Sequence, residues 1–408
     1  MLAVSLAATA FAANPKTRTQ QLMNRLGEQE PLRSGIWGML AVRMDGDTLV
    51  DVNSHRRMLP ASNMKLITTG SALTVFGSEY RFKTSIGHSG VIRDGVLEGD
   101  LYIIGGADPT IGADFGCMKD QYPFMEWRDI VQKAGIRKIS GKIVGDARFF
   151  DGDPVNGNWN VDDIIDGDGI GSEGLNYYRD TLMNHSGAYL CAEAFNTFLL
   201  GAGLNVPKDS ISDEAVCDTL KVLGSAYSPK LRLIMRDCNY ESDNFYAETF
   251  MRMLGKQVTG SACYDSCYVA MDRVLSDLGL GKKLKTIQIM DGSGLARKNY
   301  QTPDFLVSFL TAMAKSPCYE TYRNTLPQPG KGTLSSRLPQ APSGDRARVY
   351  MKSGSMNGVR CYSGYIVPKD GVKSHTIVFS FLSNNAIVSQ RELSLLCDKI
   401  IGSLATEN

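Results

Sequence analysis

Residues 60–77 read PASNMKLITTGSALTVFG: a proline, apolar side chains at helical intervals (Met64, Leu66 and Ile67, then Leu73, Val75 and Phe76), and a glycine. That spacing predicts a helix from Ser62 to Phe76 that stops at Gly77. Ser62 then sits at the helix start, and Lys65, three residues on, shares its face. Of all the serines in the chain, only Ser62 is followed by Lys at that distance. Free N–H groups and the helix dipole favour developing negative charge there. A lysine can act as a base when burial or a neighbouring cation lowers its pKa. Taken alone, the pair is weak evidence and reads first as a capping serine and a solvated lysine.

Outward from this helix, Ile36–Val42 and Thr48–Val52 read as strands around an Asp45-Gly46-Asp47 turn. Residues 80–106 have the texture of short strands with glycine turns. A helix is expected over 126–134, a strand over Lys142–Asp146, and a long loop over the Gly-, Asp- and Asn-rich residues 151–174. Helices follow at Ala188–Leu200, Pro229–Cys238 and Asp243–Leu254, the last closed by Gly255. Three strands (Ala347–Lys352, Arg360–Val367 and Thr376–Leu382) then form a meander, and Ser389–Leu404 closes as an amphipathic helix. Long strands after helices, without a βαβ rhythm, indicate an α+β fold: an antiparallel sheet flanked by helices.

The 408 residues suggest two or three domains, one interrupting another. An apolar fraction of 43% with 21% charged residues excludes disorder. Forty-four basic against forty-three acidic residues give no basis for binding nucleic acid or an anionic membrane. Beyond the first 13 residues nothing is apolar and long enough for an integral membrane span. Residues 1–12 read as a signal peptide, with Ala10-Phe11-Ala12 as its cleavage pattern though without a basic lead, so an exported, periplasmic protein is expected. Nine cysteines leave at least one unpaired in the chain, and the oligomeric state is unreadable. Cys263 and Cys267 read as packing residues rather than metal ligands. Asp162, Asp163, Asp166 and Asp168 miss calcium-loop spacing, since Ile164 holds a ligand position. No G-x-S-x-G, H-E-x-x-H or P-loop occurs, so a hydrolase here works without His, metal or cofactor.

Two further motifs change the weight of Ser62 and Lys65. Ser242-Asp243-Asn244 is an S-x-N tripeptide between predicted helices, although Ser355-x-Asn357 and Ser383-x-Asn385 match the same pattern and Ser242 could simply cap a helix. Lys352-Ser353-Gly354 is the only K-[S/T]-G and closes a predicted strand. S-x-x-K, then S-D-N, then K-S-G is the ordered set of serine β-lactamases and penicillin-binding proteins.

On these motifs the chain resembles the D-alanyl-D-alanine carboxypeptidase/endopeptidase family, the class C low-molecular-mass penicillin-binding proteins. The resemblance covers most of residues 35–405 and extends to LYIIGGADPT (101–110), Asp291-Gly292-Ser293-Gly294-Leu295, Gly332-Thr333-Leu334 with Arg337, and KSGSMNGVRCYSGY (352–365). Ser353 stands where Thr is usual; it keeps the hydroxyl. The resemblance implies a β-lactamase/DD-peptidase-like catalytic domain from residues 13–83 and 220–408. An inserted α/β domain would span 84–219, with the third domain of many relatives reduced or absent.

The resemblance also implies roles. Ser62 attacks the carbonyl, Lys65 takes its proton, and Ser242 relays a proton to the leaving nitrogen. Asn244 holds Lys65 and the substrate amide. Backbone N–H groups of Ser62 and Ser355 form an oxyanion hole, each donor worth roughly 3 kcal/mol. Lys352, Ser353, Gly354 and Ser355 receive the terminal carboxylate. Asp146, Phe150, Arg297 and Asn357 line a pocket for an amine-bearing side chain. The implied substrates are peptidoglycan stem peptides, with β-lactam antibiotics as covalent inhibitors. A β-lactamase or esterase of the same fold and a catalytically inactive peptidoglycan-binding protein are the competing readings. No motif for activating a deacylating water is evident, which counts against fast lactam turnover.

Overall fold

The computed structural model describes residues 17–407 apart from 119–122, 179–184, 218, 340 and 347. The expected signal peptide lies outside the described residues. The main sheet has five strands in the order Val349–Met356, Val359–Ile366, Ile377–Asn384, Ile36–Arg43 and Thr48–Val52, every neighbour antiparallel. The register pairs Ile36 with Asn384, so the first strand of the chain closes against the last.

Two apolar layers sandwich this sheet. On one face Trp37, Met39, Phe379 and Phe381 pack against Leu22, Met23, Ile400 and Ile401 of the two terminal helices, Arg18–Gly27 and Gln390–Ala405. The later helix opens with a capping box from Ser389 and Glu392. On the other face lies the helical core, with Phe305, Phe309, Tyr322 and Tyr365 around the Met64–Phe76 helix. That helix is buried on every side from Met64 to Leu73, so it presents no solvent-facing side over that stretch. It ends at Gly77, whose φ is +78°.

A second five-stranded sheet runs Lys221–Tyr227, Lys83–His88, Leu101–Ile104, Ile143–Asp146 and Ile211–Ser212. Its first two pairings are antiparallel and its last two parallel. The Pro123–Lys133 and Gly187–Gly201 helices fall within the two parallel crossovers and build a separate core of Trp127, Phe195, Ile103 and Ile143. Strands of two to four residues carry too little periodicity to announce these parallel pairings from sequence.

The helix expected to stop at Gly255 instead runs Asn244–Thr259 and ends at Gly260. Gly255 serves packing: a Cβ there would lie 2.6 Å from the Cys267 sulfur of the next helix. All nine cysteines are free thiols, and among the described residues no group of His, Cys, Asp and Glu is placed to hold a metal. No helix among them is long and apolar enough to cross a membrane.

Candidate active site

A single turn of tight helix, Ala61–Asn63, precedes the central helix, with Ala61 held at a φ of +46°. A positive φ at a residue with a Cβ is strained and persists only where packing enforces it. This turn sets Ser62 at the helix start, partly exposed, while Lys65 one turn below is fully buried.

The three motifs, far apart in sequence, meet here. Lys65 Nζ lies 2.9 Å from Ser62 Oγ, 2.6 Å from Asn244 Oδ1 and 2.9 Å from the carbonyl oxygen of Ser293. The amide of Asn244 has one possible orientation, because its Nδ2 donates to the Asp168 carbonyl at 3.0 Å while its oxygen accepts from Lys65. Lys352 Nζ donates to Ser242 Oγ at 2.9 Å and to its neighbour's carbonyl, Ser353 O, at 2.8 Å.

Ser242 does not cap the helix that follows it. It sits in the left-handed region (φ +61°) at the junction of two helices, and Asp243 is the cap, accepting from Tyr246 N at 2.8 Å. The junction turns the Ser242 hydroxyl toward Lys352 rather than toward the helix.

The lysine ammoniums are destabilised first by burial. Burial lowers the pKa of Lys65, against the upward pull of Asp291, Asp243 and Glu248. Lys352 is pushed well down by burial and then by the charge of Lys65. Desolvation is thus the first cause of the lowered pKa at both lysines, and the charge of Lys65 adds to it at Lys352.

The Lys352 strand can approach Ser62 because residue 354 is glycine. A Cβ on Gly354 would lie 2.7 Å from the Pro60 carbonyl and 3.1 Å from the Ser62 nitrogen. Beside it, Ser353 Oγ meets Thr333 Oγ1 at 3.1 Å, and Ser355 Oγ donates to Gln390 Oε1 at 3.1 Å. Thr333 and Gln390 are hydroxyl and amide groups that the sequence motifs did not mark as site residues.

The residues expected to line a side-chain pocket, Asp146, Phe150, Arg297 and Asn357, lie in separate surroundings. Asp146 ends its strand with only 6% of its side chain exposed, and its carboxylate is occupied by Arg148, which donates from its backbone N, Nε and Nη2 at 2.9–3.0 Å. The local turn after the strand favours this pairing two residues on. Phe150 is buried beneath the guanidinium of Arg252, 4.9 Å from its ring centre. Arg297 and Asn357 are exposed. Among the described residues no hydrogen bond or ion pair joins Asp146 to Arg297 or Asn357, and the Asp146 carboxylate pairs with Arg148.

A family model for the D-Ala-D-Ala carboxypeptidase 3 (S13) family matches residues 19–185 and 176–406. The chain belongs to this family. As an S13 member it is a serine-type D-Ala-D-Ala carboxypeptidase of the penicillin-binding class. This S13 chain is 24% identical over 448 residues to a D-alanyl-D-alanine carboxypeptidase of Actinomadura sp. (strain R39), covering 89% of this chain and 81% of that one. It is 22% identical to the D-alanyl-D-alanine carboxypeptidase DacB of Haemophilus influenzae, covering 93% and 90%. Its fold resembles crystalline penicillin binding protein 4 of Haemophilus influenzae, with a TM-score of 0.77 at 18% identity, covering 94% and 98%. A predatory peptidoglycan endopeptidase from Bdellovibrio bacteriovorus has a TM-score of 0.59 at 19% identity, covering 91% and 92%.

Proposed function

We propose that this S13 peptidase is exported to the periplasm and cleaves peptidoglycan stem peptides through an acyl-enzyme on Ser62, removing terminal D-Ala and cutting D-Ala cross-links. The observation that carries this reading is the environment of Lys65 Nζ. Two of its three neighbours, Asn244 Oδ1 and Ser293 O, can only accept hydrogen bonds. A neutral amine has two hydrogens and one lone pair. With both hydrogens committed to those acceptors, the lone pair faces Ser62 Oγ, 2.9 Å away, where a base must stand to take the hydroxyl proton.

Ser62 Oγ then bonds to the carbonyl carbon as its proton passes to Lys65. Collapse of the tetrahedral intermediate breaks the C–N bond. The leaving nitrogen takes a proton from Ser242 Oγ, which Lys352 Nζ replenishes across 2.9 Å. The substrate's terminal carboxylate lies along Lys352, Ser353, Gly354 and Ser355, with the Thr333 hydroxyl beside Ser353. Water later hydrolyses the ester. β-Lactams acylate the same serine. The unbroken set of contacts from Ser62 through Lys65 and Asn244, and from Ser242 to Lys352, favours this reading over an inactive peptidoglycan-binding protein.

The test uses the full chain with fluorescent penicillin and with purified muropeptides, the labelled residue being found by mass spectrometry. Label on Ser62, and loss of both labelling and cleavage in Ser62→Ala, is the expected result. Labelling that persists in Ser62→Ala removes Ser62 as the nucleophile.

A further inference from the structure

Beneath the site lies a buried carboxylate that the chemistry above does not use. Glu248 stands four residues after Asn244 on the same helix, so the two share a face one turn apart. It is fully buried. Its Oε1 accepts from Gly292 N at 3.0 Å and from Ser293 N at 2.7 Å, and its Oε2 faces the Tyr264 hydroxyl at 3.3 Å. The Ser293 residue held this way is the one whose carbonyl accepts from Lys65 Nζ at 2.9 Å.

The same segment is tied from its other side. Asp291 accepts from Gly294 N at 2.8 Å, Asn299 Nδ2 at 2.7 Å, Ala296 N at 2.5 Å and Trp159 Nε1 at 3.1 Å. Those bonds fix where the turn begins and ends. Only Glu248, among the contacts described, holds the N–H groups of Gly292 and Ser293.

We propose that Glu248 is a positioning residue for acylation: by anchoring the Gly292 and Ser293 N–H groups it aims the Ser293 carbonyl at Lys65 and so turns the Lys65 lone pair toward Ser62. One helix therefore supplies both acceptors of Lys65, Asn244 directly and Ser293 through Glu248. Burial, and then the neighbouring charge of Asp291, push the Glu248 carboxyl up to about 8. A neutral glutamine is accordingly a close mimic of the group as it stands near neutral pH, with an oxygen for the two N–H donors.

This inference rests on the assignment of Ser62 and Lys65 above, and the experiment separates the two. The limiting acylation rate and the half-saturating concentration are measured with fluorescent penicillin on the full chain, beside Ser62→Ala. Thermal unfolding of each variant reports the folded fraction. Glu248→Leu, which offers no acceptor, is expected to lower the limiting rate at least about 100-fold, with half-saturation unchanged within about threefold. Glu248→Gln is expected to restore the rate to within about threefold of the wild type. Glu248→Asp keeps the carboxylate but withdraws it by a methylene, and is expected to lose at least about tenfold; it carries the test if the leucine variant does not fold. A folded Glu248→Leu or Glu248→Asp with the wild-type limiting rate overturns the proposal. So does a Glu248→Gln as slow as Glu248→Leu, since acceptor geometry would then not be the cause. Label retained in Ser62→Ala fails the nucleophile assignment instead.

Discussion

Lys65 has three polar neighbours and no water-facing surface, and this decides how it behaves. Burial lowers its pKa from the ordinary 10.5, so the deprotonated form needed of a base is reached at lower pH than for an exposed lysine. The sign follows directly: acylation of Ser62 should rise with pH, along a limb lying below the ordinary lysine range, as Lys65 loses its proton. A pH profile of the acylation rate checks this, and a limb centred at or above 10.5 contradicts it. Lys65→Arg keeps the charge but cannot give up a proton near neutral pH, so the limb should vanish and the rate should fall by about 1,000-fold or more. Near-normal acylation by the arginine variant would move the base elsewhere. Ser62, Lys65, Ser242, Asn244 and Lys352 were all legible as motif residues. The Ser293 carbonyl was not, because a backbone oxygen leaves no trace in residue type. Glu248 had a faint signal, its four-residue spacing from Asn244 on one helix, but nothing in the sequence said that this face was buried.

At the level of elements, the site depends on how closely a strand can approach a helix start. The Val349–Met356 strand packs on the Ala61–Asn63 turn across Gly354, where a Cβ would meet the Pro60 carbonyl at 2.7 Å. Gly354→Ala must therefore push the strand and Ser62 apart. A misplacement of this kind is expected to cost about 100-fold in acylation rate. Measuring that rate alongside thermal unfolding tests the point; a folded variant with wild-type kinetics would show that the close approach is not needed. The boundary of the Asn244–Thr259 helix makes a related case. Glycine read as a stop at position 255, yet the helix continues to Gly260, because the absent side chain makes room for Cys267. Local sequence gives the same residue for a helix end and for a tight helix contact; only the neighbouring helix distinguishes them.

At the scale of the whole molecule, Arg252 ties residues 151–174 to the Asn244–Thr259 helix. Its guanidinium is buried and donates to the carbonyls of Ala262 at 3.1 Å and Asp151 at 2.6 Å and to that of Ser172, while stacking over Phe150 and Tyr264. Residues 151–174, expected as one long loop but containing the short Val161–Ile165 helix, are thus held against the helix that carries Asn244, and the Asp168 carbonyl reaches Asn244 itself. Arg252→Met keeps the stem and removes the donors, leaving buried carbonyls without partners. It should destabilise the protein by about 3 kcal/mol or more, read as a lower urea midpoint. A change below about 1 kcal/mol would mean that the loop is held by other contacts.

The sequence by itself determined the elements that surround the site, the order of the three motifs and the class of chemistry, because helix periodicity, strand alternation and spaced catalytic residues are local properties. The first two strands and the three-strand meander followed from strand length and turn spacing in the same way, whereas their union into one five-stranded sheet, through the pairing of Ile36 with Asn384, came from the tertiary structure. What only the tertiary structure decided was which polar groups face each other. It gave Asp146 to Arg148, placed Ser242 in a left-handed turn beside Lys352, and set the Ser293 carbonyl and Asp168 carbonyl around Lys65 and Asn244. Those pairings depend on burial and on backbone atoms brought together from distant parts of the chain. Residue type carries neither.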